Sequence, residues 1–382
     1  MALNPIFRPL YFRRKMLTGI AVYLGVLIFL TYISMNHVGS MYTLRGWVHK
    51  HQQKWEVRLG DEDHRQKEKD MLALAEFKHR RFIYENSHLL CQHDSSHSKD
   101  ATGGGGKERM AWLTATINDD YVVPAVALAH SIQKFSCVKT MLAIISDALS
   151  PSSRNALTRA GWQLLERPPL DCAHEGQEGI DDLAKIRGAH MRFHAWNLTE
   201  YDRLIYMDCD IMLLDNVDEL FEMPLEHDEI YASYFAAPGV VTWGLNSGIM
   251  VLRPSEATCV AMLKEWRALF STTGCMNDQP YLWIFFSQPG RQMRFLPYAY
   301  NVRKDVYHPM RVYHLAGPRP QKVWLYPRSR EEAKNVPIIN TPEDVSSVWW
   351  FMFYDALDGF GLHEWWQQLH SPNSNDNKEH SR

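Results

Sequence analysis

The chain has 382 residues, 46% of them hydrophobic and 22% charged, with 41 Lys and Arg against 44 Asp and Glu for a formal net charge of −3. That composition excludes a disordered polyelectrolyte and nucleic-acid binding driven by bulk charge, so no nucleic-acid partner is expected. The length suits one large domain or two ordinary ones, and six cysteines without a CxxC pair make neither a disulfide scaffold nor a structural zinc site.

The first element is a run without charge from Met16 to Met35. As a helix rising 1.5 Å per residue it would cover about 30 Å, the thickness of a bilayer's hydrocarbon core. It is too long for a cleaved signal peptide, lacks a small-x-small cleavage site, and is apolar on every side, unlike a core helix. Arg8, Arg13, Arg14 and Lys15 precede it. The positive-inside rule therefore predicts a cytosolic tail over 1–15, a transmembrane anchor over 16–35 and a body in the secretory lumen or outside the cell. Disulfides are permitted there, but the pairing among Cys91, Cys137, Cys172, Cys209, Cys259 and Cys275 stays open.

Residues 36–108 read as a luminal stem. The stretch 50–70 is dense in charge, and Ser87–Lys107 is rich in His, Ser and Gly, closing with Gly103–Gly106. His88, His93 and His97 suggest a metal cluster on paper, but no apolar frame would hold them, and a polar stem is the reading adopted. Residues 371–382 read as a disordered tail. The domain is expected over 109–370.

Within it, apolar runs of strand length at Met110–Ile117, Val138–Ser146, Trp162–Glu166 and Leu204–Met207 alternate with helical patterns at Tyr121–Phe135, Pro151–Ala160 (capped by Ser150) and Asp181–Leu198. This alternation predicts an α/β fold with a mostly parallel sheet, whose ligands bind beyond the carboxyl ends of the strands. At one such end stand Asp208-Cys209-Asp210. Period-two geometry puts both carboxylates on one side and Cys209 into the packing. Two like charges that close need a proton or a cation between them, and a hard divalent metal with oxygen ligands would also hold a diphosphate.

The block Met191–Phe221, with its Asp-x-Asp, resembles the signature of family 8 glycosyltransferases, the glycogenin-like group. Four further blocks resemble that family in order and spacing: Ala115–Tyr121, Leu245-Asn246-Ser247-Gly248-Ile249, Asn277-Asp278-Gln279-Pro280, and His314-Leu315-Ala316-Gly317 followed by Lys322-Val323-Trp324. Together they cover about residues 110–326. The resemblance implies a GT-A fold, a Rossmann-like nucleotide-binding mixed sheet flanked by helices. It also implies transfer of a sugar from a UDP-sugar donor with retention at the anomeric carbon.

Carried over residue by residue, the resemblance implies Mn²⁺ on Asp208, Asp210 and His314, a donor set that suits the ion. It implies a uridine site at Ala115, Thr116, Asn118 and Tyr121, where a core tyrosine is an equal alternative for Tyr121. Asn246, Ser247 and Gly248 would approach the sugar, the glycine admitting a close backbone. Asp278 and Gln279 would face the anomeric centre, Asp278 in orientation or acid–base work, with covalent and front-side routes to retention both open. Gly317 and Lys322 would bind phosphate. Two departures matter. Arg192 stands where the family commonly has Lys, keeping the charge but adding a fork. The closing motif has Val323 for Pro and two extra residues, which leaves Arg319 as a rival to Lys322.

Asn197-Leu198-Thr199 is a glycosylation sequon; lying in the helix of the signature block, it is expected to be unused. Trp349, Trp350, Phe351, Trp365 and Trp366 are expected to pack a C-terminal helix onto the domain, with an acceptor platform as the alternative. The reading is a single-pass type II Golgi glycosyltransferase acting on a luminal glycan or glycoconjugate acceptor. A membrane-tethered nucleotide-sugar-binding protein without turnover is the alternative. An aspartate phosphatase of the haloacid dehalogenase type fits poorly, because Met212 stands where it expects Thr or Val. A soluble self-glucosylating glycogenin is disfavoured by the span.

Overall fold

The computed structural model describes residues 78–81, 84–85, 91, 108–170, 188–234, 244–273, 277–304, 306–316, 322–334, 336 and 339–369. The expected span at 16–35, His88, His93, His97, Gly103–Gly106, Gly317, Arg319 and the tail from 371 lie outside the described residues. Among those described, no helix is long and apolar enough to cross a membrane.

The strands expected at 110–117, 138–146, 162–166 and 204–207 are β1 (Met110–Thr116), β2 (Met141–Ile145), β3 (Gln163–Glu166) and β4 (Arg203–Met207). They are followed by β5 (Ile211–Leu213), β6 (Glu229–Tyr234), β7 (Leu245–Leu252), β8 (Gln292–Leu296) and β9 (Val312–His314). Seven of them form one sheet in the order β3-β2-β1-β4-β7-β6-β8, and β5 pairs with β9 in a small second sheet. The neighbours β3, β2, β1 and β4 run parallel. Antiparallel β7 lies between β4 and β6, and β6 runs parallel to β8, so the sheet is mixed.

The helices are α1 (Val122–Phe135), α2 (Pro151–Arg159), α3 (Glu256–Thr273), α4 (Asp278–Phe286), α5 (Pro342–Phe360) and α6 (His363–Leu369). Helix α2 starts as its sequence predicts: Ser150 Oγ accepts from the Ser153 N–H and Pro151 takes the first turn. A Thr341–Asp344 capping box opens α5, and Gly361 at φ 64° ends it in the left-handed conformation that glycine tolerates best. Within the helix expected over 181–198, residues 188–190 are helical and Met191–Asn197 form a 3₁₀ helix; residues 181–187 lie outside the described residues.

Alternation along the strands divides the core into two layers. Trp112, Ile205 and Met207 join the side chains of α1 and α5 on one face. Ala111, Leu113, Leu204 and Tyr206 join those of α3 and α4 on the other. Trp349 and Trp350 are fully buried, with Trp349 stacked on Phe353 at 5.4 Å, and Trp365 is buried too, so these three are core; Phe351 and Trp366 are half-buried against them.

Residues from the expected stem also pack on this body. Cys91 is disulfide-bonded to Cys137 just beyond α1. Buried Tyr84 donates its hydroxyl to Asp355 of α5 at 2.5 Å and meets His130 Nε2 of α1 at 2.8 Å, while His130 and Asp355 lie 3.0 Å apart. The hydrogen bond from His130 is the largest influence on Asp355; although burial opposes it, the bond from Tyr84 adds to it, and the carboxyl is held down at about 2. A depressed carboxyl contributes stability above its unfolded value and loses it as pH falls towards the folded one. Acid unfolding should therefore steepen between about pH 4 and pH 2. We expect Asp355→Asn to be less stable at neutral pH and to show a shallower loss across that window in urea titrations; an identical acid limb would contradict the account.

Candidate active site

The carboxyl ends of β1, β2, β3, β4, β6 and β8 share one edge with the start of antiparallel β7. A cavity of about 620 Å³ opens there. Its lining brings together the separate sequence blocks: Ala115, Thr116, Asn118 and Tyr121 after β1; Arg192; Asp208 and Asp210 after β4; Asn246 of β7; Asp278 and Gln279 at the start of α4; and His314 and Lys322. Ser247 and Gly248 are fully buried behind this surface.

β4 ends at Met207, so Asp208 and Asp210 occupy a tight turn instead of the strand from which a common direction was expected. The turn still gathers them, because the Ile211 N–H bonds the Asp208 carbonyl at 3.1 Å. Cys209 is buried, as expected, and burial keeps its thiol protonated. The third member arrives from far along the chain. Strand β5 follows the turn directly and pairs with β9, setting Ile211 opposite His314. The Leu315 N–H binds the Asp210 carbonyl at 3.0 Å. His314 Nε2 then lies 3.2 Å from Asp210 Oδ1 and 3.8 Å from Asp208 Oδ2.

A chain of buried amides fixes how that imidazole is presented. The Gly248 N–H can only donate, so the Asn246 atom it meets at 3.1 Å is oxygen. The same oxygen accepts from the Asn301 amide nitrogen at 2.7 Å. Asn301 therefore turns its own oxygen to His314 Nδ1, 3.0 Å away. Nδ1 carries the hydrogen, and the Nε2 lone pair faces two carboxylates. That arrangement calls for a proton or a cation among them. Two carboxylates and an imidazole nitrogen with these spacings fit a divalent ion, whose bonds of about 2.1 Å put neighbouring ligands roughly 3 Å apart.

Gly248 contributes through its missing side chain as well. A Cβ built there would sit 2.3 Å from His314 Cε1 and 2.5 Å from Nδ1. The close approach expected between this glycine and a sugar is thus taken by the His314 ring. Ser247 differs from expectation too. Fully buried, it does not reach the cavity; its Oγ donates to Asp278 Oδ2 at 2.5 Å and accepts from Arg192.

Arg192 holds this layer together. Its guanidinium donates to Asp208 at 2.9 Å, lies 3.0 Å from Asp278, and also bonds the Ser247 and Ala189 carbonyls. Burial works against its charge, but Asp208 and Asp278 outweigh that and hold it above its ordinary value. The fork is spent on protein acceptors, which explains Arg in place of Lys: a point charge could not span buried Asp278 and half-buried Asp208 in this way. Burial pushes Asp208 up, against the pull of Arg192 and with Asp210 adding to the rise. Asp210 goes the other way: burial would raise it, but His314 and Lys322 bring it down.

Tyr121 lines the cavity with Trp324 edge-on at 5.8 Å and the Lys322 ammonium over its ring at 5.0 Å. Asn118 secures this corner, its side chain accepting from the Tyr121 N–H at 3.3 Å. Lys322 adopts φ 25°, a strained backbone for a non-glycine residue and one that sites of binding tolerate. The sequence blocks gave no role to Asp120, Tyr206, Asn277 and Ala316, which join the lining, and Gly188 and Ala189 in the lining and Asn301 behind it lie outside those blocks. Gly188 follows from packing alone, since a Cβ there would meet Ile117 at 2.6 Å. Nothing in the local sequence of Asn301 marks it.

Residues 113–324, more than half of the chain, match the family model described as "Glycosyl transferase family 8". The chain belongs to this family of glycosyltransferases. It is 26% identical over 267 residues to UDP-glucuronate:xylan alpha-glucuronosyltransferase 2 of Arabidopsis thaliana, an alignment covering 66% of this chain and 42% of that protein. Inositol phosphorylceramide glucuronosyltransferase 1 of Arabidopsis thaliana is 27% identical, over 47% of this chain and 30% of that one. Mouse glycogenin-1 is 26% identical, over 64% of this chain and 75% of that one. The chain thus spans less than half the length of these plant relatives. Among solved structures, the glycosyltransferase GlyE of Streptococcus pneumoniae aligns over 69% of this chain and 64% of its own, at 15% identity and a TM-score of 0.47.

Two variant sets test the site. Asn301→Leu should leave His314 free to take the wrong tautomer and weaken the affinity of the site for an added divalent cation by about 10- to 100-fold. Gly248→Ala should weaken it at least as much; calorimetric affinities equal to wild type in both would refute the tautomer chain. Arg192→Leu leaves buried Asp278 and half-buried Asp208 without their counter-charge, and should cost about 3–5 kcal/mol of stability. An unshifted urea midpoint would mean that Arg192 does not hold this layer together.

Proposed function

We propose that this chain is a Mn²⁺-dependent, retaining glycosyltransferase of GT-A fold that moves a sugar from a UDP-sugar donor to a luminal glycan or glycoconjugate. The single observation that carries the reading is the cluster of Asp208, Asp210 and His314, whose ligand atoms all lie within 4.8 Å of one another at the floor of the cavity. Bound there, Mn²⁺ would act as a Lewis acid, offsetting charge that develops on the departing diphosphate.

The chain's own residues divide the remaining work. Asn118 positions Tyr121 to face a uracil ring, and Ala115 and Thr116 border the same corner at the end of β1. Lys322, held over the Tyr121 ring, supplies a mobile positive charge for phosphate oxygens. Gly317, in the same closing motif, is assigned to the phosphates on resemblance alone. Asn246 and Gln279 border the space left for the donor sugar. Asp278 acts by orientation: engaged with Ser247 and Arg192, it fixes the guanidinium that steadies Asp208. Arg192, Ser247 and Gly248 therefore support the donor site from behind.

The apolar run at 16–35, preceded by its basic tail, supports a type II anchor in the Golgi membrane with the catalytic body luminal. The Cys91–Cys137 disulfide suits that oxidising side. Glucuronate appears in the names of plant relatives, which places UDP-glucuronate among the donors to try beside UDP-glucose, UDP-galactose, UDP-xylose and UDP-N-acetylglucosamine.

The test incubates purified protein retaining residues 69–382, so that Tyr84 and Cys91 are present, with Mn²⁺ and each of these donors. One donor should be hydrolysed well above the others, and both Asp210→Asn and a chelator should abolish the reaction. Tight donor binding without hydrolysis would favour a tethered binding protein. Hydrolysis that survives the chelator would remove the metal from the mechanism.

A further inference from the structure

We propose that Asn197 carries an N-linked oligosaccharide on the sheet edge opposite the cavity. The inference rests on the luminal orientation proposed above and adds a modification site to it. Asn197-Leu198-Thr199 is the chain's one Asn-x-Ser/Thr sequence. Read from sequence it falls inside a helix, where the acceptor backbone would be tied into hydrogen bonds. The structure places it differently. The 3₁₀ helix Met191–Asn197 stops at Asn197, and Leu198 has left helical geometry at φ −88° and ψ 57°. A turn follows at Thr199–Glu200, closed by the Tyr201 N–H on the Leu198 carbonyl at 3.0 Å.

Side-chain placement follows from that turn. Trp196 and Leu198 are buried and anchor the segment, while Asn197 and Thr199 are both exposed. Among the described residues the Asn197 amide has no hydrogen-bond partner, so both members of the acceptor pair are open to solvent. Two backbone contacts locate the turn. The Ser255 N–H, just beyond the end of β7, bonds the Trp196 carbonyl at 3.0 Å. The Asp202 N–H, just before β4, bonds the Arg109 carbonyl ahead of β1 at 2.8 Å. Both contacts lie at the edge where β1 and β4 begin, whereas Asp208 and Asp210 lie where β4 ends. A bulky, solvated glycan at Asn197 therefore leaves the donor cavity clear.

The chemistry is a group transfer from a lipid-diphosphate-linked oligosaccharide, supplied by the secretory pathway of the cell. A bond forms between Asn197 Nδ2 and the sugar's anomeric carbon as the carbon–oxygen bond to the diphosphate breaks. The diphosphate leaves with the electron pair, and the amide gives up one proton. No oxidation or reduction is involved.

The full chain, extended at its C-terminus by an Asn-x-Thr tag, would be expressed in a eukaryotic secretory host and resolved with and without peptide N-glycanase. Two glycans are expected on the parent chain, one on Asn197→Gln, and two again on Thr199→Ser. Asn197→Gln should keep wild-type donor hydrolysis. A glycosylated tag with an unmodified Asn197 would overturn this proposal and leave the luminal orientation intact. A tag that also stays bare would overturn both.

Discussion

The structure depends on keeping two carboxylates, Asp208 and Asp210, side by side in a place where water reaches them poorly. Their repulsion is answered from two directions. Behind them, Arg192 gives Asp208 a buried counter-charge and ties it to Asp278 and Ser247. In front, His314 offers a nitrogen lone pair, so the remaining negative charge is directed at whatever cation enters. Burial still pushes Asp208 upward despite Arg192, whereas His314 and Lys322 bring Asp210 down against the same burial.

Rigidity at this point comes from backbone pairing. Asp208 is tied to β7 through its N–H on the Gly248 carbonyl at 2.8 Å, and Asp210 to the residue after His314 through its carbonyl. The small β5–β9 sheet exists at the one place where the Asp-x-Asp turn and the histidine must meet. Glycine at 248 lets the imidazole come close against β7, and the Gly248–Asn246–Asn301 chain sets which nitrogen faces inward. A metal-binding geometry is thus held by elements that never touch the metal.

Much of this was legible in the chain. Apolar runs located β1, β2 and β4 because a buried strand must be apolar on both faces, and Ser150-Pro151 marked the start of α2 through the unpaired N–H groups of a helix's first turn. Lining residues such as Thr116, Asp208, Asp278 and His314 were recognisable through the resemblance of their blocks to the family's. Other features were hidden. The Asp-x-Asp pair sits in a turn, since strand period says nothing about where pairing stops. Ser247 and Gly248 belong behind the site because β7 is buried along its whole length between the two core layers, which only the packed domain reveals.

Sequence by itself determined the alternation of strands and helices, the family to which the chain belongs, and the chemical character of the residues at its strand ends. Those properties are local, fixed by hydrophobic period, capping and side-chain type. Only the tertiary structure decided which nitrogen of His314 faces the carboxylates, why position 192 is arginine, why position 248 has no side chain, and that Asn197 faces solvent. Each of these depends on atoms from segments distant in the chain meeting within about 3 Å, and no local pattern encodes a contact whose two halves fold from different places.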